Sequence, residues 1–153
     1  MSALELKIPP LAVTLIAGTA MWCLDRVMPG PAIASRWSVP VATLLGTAGA
    51  VFCLLGIAGF RRRKTTVDPF RPHNSTALVV GGIYRYSRNP MYVGFGLFLA
   101  AWGVYLQSFA ALTILPGYVW FLQRFQILPE ERALRNLFGA EYREYRRRVR
   151  RWL

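Results

Sequence analysis

Apolar residues gather into four long runs, at 11 to about 28, 39–60, 91–106 and 109–127, with polar and charged stretches between them. A membrane-crossing helix needs roughly 20 residues, or about 17 at the short limit. The first, second and fourth runs meet that length; the third is marginal, a span that sits tilted or partly interfacial. Beyond them the pattern changes. Leu134, Leu137, Phe138, Tyr142, Tyr145, Val149 and Trp152 recur at three- and four-residue steps, with arginines on much of the opposite face. That spacing predicts an amphipathic helix from Glu130 to Trp152, lying on or against a membrane surface and interrupted at Gly139. The expected fold is an all-α membrane protein of about four transmembrane helices plus a C-terminal amphipathic helix, in one domain spanning 1–153.

Composition changes the picture in one respect. The 153 residues are 54% hydrophobic yet carry a formal net charge of +12. Those values conflict in a soluble protein and agree in a membrane protein with basic loops. A basic chain can also mean nucleic acid, but the apolar runs make anionic membrane lipids the more economical partner, and no nucleic acid is expected. The charges are lopsided. Arg61, Arg62, Arg63, Lys64, Arg71, Arg85 and Arg88 lie between the second and third runs. Arg132, Arg135, Arg143, Arg146, Arg147, Arg148, Arg150 and Arg151 follow the fourth. The first interval has only Arg26 and Arg36, and the Gln107-Ser108 connection has none. With four spans, the positive-inside rule puts the central loop and both termini in the cytoplasm, across the inner membrane.

Other features are structural. The first run lacks a basic leader beyond Lys7 and a clean small-residue cleavage site, so it reads as a helix rather than a signal peptide. Pro29-Gly30-Pro31 breaks the first loop, and Pro69 and Pro72 punctuate the central one. Cys23 and Cys53 read as reduced core residues, with neither disulfide nor metal-site spacing. His73 sits in the proline-rich loop as an exposed or structural residue.

Two segments carry the candidate chemistry. Gly82-Ile83-Tyr84-Arg85-Tyr86-Ser87-Arg88-Asn89-Pro90-Met91-Tyr92-Val93-Gly94-Phe95-Gly96 runs from a polar turn into the third apolar segment without a break. Pro129-Glu130-Glu131-Arg132-Ala133-Leu134 follows the fourth. Hydrocarbon penalises arginines, tyrosines and asparagine unless they face protein, water or a ligand. Plainer readings exist: Gly94 and Gly96 permit helix packing, and Glu130-Glu131 form an acidic first turn favoured by the helix dipole.

With the Leu78-Val79 lead-in, the Arg88-Asn89-Pro90-Met91-Tyr92-Val93-Gly94 turn and the closing Glu130-Glu131 and Phe138-Gly139-Ala140-Glu141-Tyr142 segments, the chain resembles membrane methyltransferases related to isoprenylcysteine carboxyl methyltransferase. Phosphatidylethanolamine methyltransferase is a more distant relative. The resemblance spans roughly 65–153 and implies methyl transfer from S-adenosylmethionine at the cytoplasmic membrane face. It implies that Ala77, Leu78, Val79 and Tyr84 line the cofactor, that Asn89, Pro90, Met91 and Tyr92 supply a second wall, and that Glu130 gives a third contact. Gly94 and Gly96 with Glu130-Glu131 match two cofactor motifs of the phosphatidylethanolamine relatives. Arg88, Gln126 and Trp102 fall to the substrate side. Two departures matter. Asn89 stands where many relatives have histidine, which removes a titrating base. Gln126 stands where the prenylcysteine enzymes have a substrate-binding arginine, and a neutral amide is a poor carboxylate clamp.

No catalytic residue and no metal ligand is assigned. Methyl transfer from a sulfonium is an in-line displacement of a good leaving group, so binding, alignment and water exclusion carry most of the acceleration. The expectation is a methyltransferase acting on a lipophilic or small thiol, amine or carboxylate acceptor. An NADPH-dependent membrane reductase of the sterol-reductase type and a non-catalytic membrane scaffold are the rival readings.

Overall fold

Proline opens the first and third long helices. Its ring fixes φ, and its missing N–H is one that a first helical turn leaves unpaired. In the computed structural model, which describes residues 5–28, 36–62 and 77–153, α1 accordingly runs Pro10–Val27. Next come α2, Ser38–Arg62, a 3-10 turn at Gly82–Arg85 and α3, Pro90–Tyr105. Two short helices, α4 (Phe109–Leu112) and α5 (Ile114–Leu122), lead into a π-turn at Gln123–Ile127 and then α6, Leu128–Arg148. No strand occurs among the described residues. The Pro29-Gly30-Pro31 break, Arg63, Lys64, Arg71 and His73 lie outside them.

Among the described residues two helices, α1 and α2, are long and apolar enough to cross a membrane. Both present large apolar side chains outward: Leu15 and Ile16 on α1, and Leu44 and Leu54 on α2, are each more than 60% exposed. A water-facing helix carries polar residues there, whereas a lipid-facing one does not. The third run forms a helix of 16 residues, about 24 Å at about 1.5 Å per residue, shorter than a bilayer core.

The interior is closed by small residues and a few polar ties. A Cβ on Gly94 would stand 2.7 Å from the Gly49 carbonyl oxygen and 2.5 Å from Cys53 Sγ, so α2 and α3 touch backbone to backbone there. Trp102 Nε1 donates to the Gly18 carbonyl at 3.1 Å, joining α3 to α1. Thr14 and Tyr118 share a hydroxyl hydrogen bond of 2.7 Å between α1 and α5. The α3–α4 turn is capped by Ser108, whose hydroxyl accepts from Ala111 N–H at 3.2 Å.

The fourth apolar run and the tail helix, expected as separate elements, form one continuous helical path through the π-turn. Proline inside a helix loses a bond to the carbonyl four residues back and crowds it. Here the widened turn before Pro129 relieves that conflict, with Leu128 N–H bonding Gln123 C=O, and the Phe125 carbonyl accepts from Leu6 N–H at 3.1 Å instead. The interruption falls at Gly139, whose φ of 46° lies in the left-handed region.

Candidate functional site

The polar turn and the acidic helix start meet at one end of the helices. The 3-10 turn buries Tyr84, and Ser87 Oγ accepts from Asn89 N–H at 3.1 Å to shape the approach to α3. Pro129 then starts α6 so that Glu130 and Glu131 fall in its first turn. Between them lies a cavity of about 360 Å³. Its walls include Ala77, Leu78, Val79, Tyr84, Asn89, Pro90, Met91, Tyr92, Glu130 and Glu131, together with Arg88. All of these were singled out from the sequence, from segments some 40 residues apart.

Four sequence candidates lie elsewhere. Gly94 is consumed by the contact with α2, and Gly96, with nothing within 4 Å of its would-be Cβ, does not border the cavity. Trp102 packs on α1 through Gly18. Gln126, 1% exposed, donates from Nε2 to the Ile8 carbonyl at 2.5 Å and does not reach the cavity. Gly94, Gly96 and Gln126 were placed by resemblance to family motifs and Trp102 on the substrate side; helical phase turns Gly94, Trp102 and Gln126 toward neighbouring chain and Gly96 toward open space.

The cavity also uses residues that sequence reasoning passed over: Pro9, Pro10, Leu11, Phe60, Leu134, Tyr142 and Tyr145; Phe95, from the turn that runs into the third apolar segment, lines it too. Leu134, Tyr142 and Tyr145 had a signal, since they share the apolar face of the tail helix. That face packs on Leu78, and Tyr145 donates its hydroxyl hydrogen to the Tyr84 carbonyl at 2.8 Å. Pro9 to Leu11 had none, because a distant N-terminal segment brings them in.

The electrostatics divide the two acids. Glu131, 5% exposed, is ion-paired at 3.0 Å to Arg88 and at 2.9 Å to Arg151. Glu130 accepts a short hydrogen bond from the Tyr92 hydroxyl. Burial pushes its carboxyl up from 4.5 to about 7; the Tyr92 bond lowers it in part and the Glu131 charge adds to the rise. Burial likewise raises Tyr84 and Tyr145, so both stay neutral donors at physiological pH. No group of three or more metal-ligating side chains occurs among the described residues.

A chain whose described residues form helices and no strand, with two long helices that turn apolar side chains outward and a tyrosine-lined cavity at their ends, is an integral membrane protein. Sequence comparison then gives its kin. The phospholipid methyltransferase family matches residues 37–141, and the chain belongs to that family. It is 35% identical over 72 residues to protein-S-isoprenylcysteine O-methyltransferase of Schizosaccharomyces pombe, covering 47% of this chain and 30% of that one. A protein of Oryza sativa named probable protein-S-isoprenylcysteine O-methyltransferase is 28% identical over 120 residues, 78% of this chain and 63% of its own. An uncharacterized protein of Haemophilus influenzae is 40% identical over 63 residues, 41% of this chain and 100% of its own. No solved structure matches the chain at a significant level.

Proposed function

We propose that this protein transfers a methyl group from S-adenosylmethionine to a lipophilic or small acceptor at the cytoplasmic face of the inner membrane, with four spans and both termini cytoplasmic. The observation that carries the reading is the gathering of the 77–92 and 130–131 segments around one cavity.

The residues present fit the methyl donor. The volume, about 360 Å³, lies within the roughly 300–1,000 Å³ of small-molecule pockets. Leu78, Val79, Phe60 and Met91 form an apolar slot suited to an adenine. Glu130 is a strong acceptor for ribose hydroxyls or an ammonium. Tyrosine faces at Tyr84 and Tyr92 favour a sulfonium cation. When bound, the donor supplies a methyl group already activated as an electrophile, with a neutral thioether leaving. The chain's own part is to orient, to exclude water and to hold the acceptor in line. Gln126, already bonded to Ile8, offers no clamp to a carboxylate acceptor, which favours a neutral, amine- or thiol-bearing one.

A phosphate-rich nicotinamide cofactor fits poorly. The described charged groups on the cavity wall are two carboxylates and one arginine, and that arginine is paired. Titrating the purified protein in detergent with S-adenosylmethionine and NADPH tests the proposal. Saturable binding of the first alone is expected. Binding of NADPH alone would indicate a reductase, and binding of neither a scaffold.

A further inference from the structure

We propose that Arg151 positions Glu131 and Arg88 so that this charged wall reads the amino-acid end of the methyl donor; the inference rests on the donor assignment above. The chain leaves α6 extended at Val149, with φ −121° and ψ 134°, and residues 149–153 cross the turn that opens α3. Three bonds from that turn end on carbonyls of this strap. Arg88 N–H donates to Arg150 C=O at 3.0 Å, Asn89 Nδ2 to Arg151 C=O at 2.9 Å, and Ser87 Oγ to the same carbonyl at 3.5 Å. Trp152 Nε1 donates to Gln123 Oε1 at 3.3 Å on the far side.

The main chain is thus tied on both sides of Arg151, and its guanidinium meets Glu131 as a fork. Nε lies 2.9 Å from Oε1 and Nη2 3.0 Å from Oε2. Such bidentate pairing fixes the plane of the carboxylate. Arg88, whose side chain is 9% exposed, approaches the same Oε1 at 3.0 Å from the other side. Two guanidinium groups share one carboxylate, so the cluster keeps a net positive charge. Its Arg88 Nε is buried with no hydrogen-bond partner among the described residues. Arg88 and Glu131 border the cavity, with Glu130 beside them, and Arg151 stands behind.

A ligand group bearing a carboxylate and an ammonium on one carbon complements a wall with surplus positive charge beside a carboxylate. An adenine or a thioether needs neither. Arg151 touches no part of the cavity itself, so it acts through Glu131 and is a positioning residue.

The test compares two neutral thioethers: S-adenosylhomocysteine, which has the amino-acid end, and 5′-methylthioadenosine, which lacks it. Each is titrated by calorimetry into the full chain in detergent, as wild type, Arg151→Met and Arg151→Lys. Arg151→Met should weaken S-adenosylhomocysteine about tenfold through loss of the charge-assisted fork. Arg151→Lys, which keeps the charge but not the fork, should weaken it about threefold. Methylthioadenosine should bind all three alike. Equal weakening of both ligands makes Arg151 a general stability element and overturns the proposal, as does unchanged S-adenosylhomocysteine affinity. If Arg151→Met does not fold, the Arg151→Lys ratio decides on the same terms. A wild-type chain that binds neither ligand overturns the donor assignment and this role with it, whereas wild-type binding with an unshifted ratio overturns this role alone.

Discussion

Replacing Glu130 by glutamine separates what the buried carboxylate does to the fold from what it does for a ligand. The carboxyl is held at about 7 rather than 4.5, chiefly by burial. At about 1.36 kcal/mol per pH unit, that difference disfavours the ionised form by about 3 kcal/mol. A carboxyl raised in the fold keeps its proton where the unfolded chain has lost it. Between pH 4.5 and about 7 the folded state therefore binds more protons, and stability falls as pH rises. Above about 7 the penalty is complete. Glutamine carries none of it, and its carbonyl still accepts from Tyr92. Glu130→Gln should match wild type near pH 4.5 and exceed it by up to about 3 kcal/mol at about pH 8. Binding should move the other way. A charge-assisted contact is worth about 1.5–3 kcal/mol, so S-adenosylmethionine affinity at about pH 8 should fall roughly 10- to 150-fold. Wild-type affinity should climb as pH rises through about 7, and the variant's should stay flat. Ligand-free melting scans in detergent from about pH 5 to 8.5, with calorimetric titrations at each pH, read both limbs. A variant less stable than wild type at about pH 8 and unchanged in affinity would refute the reasoning and leave Glu130 as a helix-start residue only.

Three further outcomes are expected. Tyr92→Phe removes the hydrogen bond that lowers the Glu130 carboxyl, so the pH midpoint of donor binding should move up; an unmoved midpoint would uncouple the two groups. Gly94→Ala should destabilise by about 1–3 kcal/mol through overpacking, since the added Cβ meets the Gly49 carbonyl oxygen at 2.7 Å. Gly96→Ala, with nothing within 4 Å, should be neutral or stabilising by up to about 1 kcal/mol, and equal melting temperatures for the pair would contradict the helix contact. In a background lacking Cys23 and Cys53, an impermeant thiol reagent should label Arg36→Cys, an exposed position between the first two runs, from the outside and Asn136→Cys from the inside; the reverse pattern would overturn the proposed topology.

The parts of the cavity legible in the sequence are those that chemistry forces into short segments. A proline-led helix start preceded by tyrosines, arginine and asparagine has to place its polar groups at one end of an apolar helix. The same holds for two glutamates following Pro129. Tyr142 and Tyr145 were legible as one face of a helix, though not as cavity walls, because periodicity says which residues share a face and not what covers it. Gly94 shows the same limit from the other side. A small residue in an apolar helix serves close packing and close ligand approach equally well, and the identity of its neighbour, here Gly49, depends on how α2 and α3 are phased. Trp102 was misplaced for that reason too.

The N-terminal wall follows from a single backbone conflict that has no local signature. Pro129 cannot donate to the Phe125 carbonyl, and a buried carbonyl left without a donor is unfavourable by a kcal/mol or more, roughly. Leu6 N–H supplies the missing bond at 3.1 Å. At the next residue, the Gln126 amide holds the Ile8 carbonyl at 2.5 Å. Arg124 and Arg132 grip the Glu5 carboxylate at 3.0 and 2.5 Å. The consequence is spatial: with Leu6 and Ile8 fixed to the π-turn that precedes Glu130, Pro9, Pro10 and Leu11 are delivered to the cavity wall. The π-turn thus aims the acidic start of α6 at the cavity and also creates the place where Leu6 and Ile8 dock. Gln126, expected on the substrate side, holds a wall of the cavity instead of facing into it.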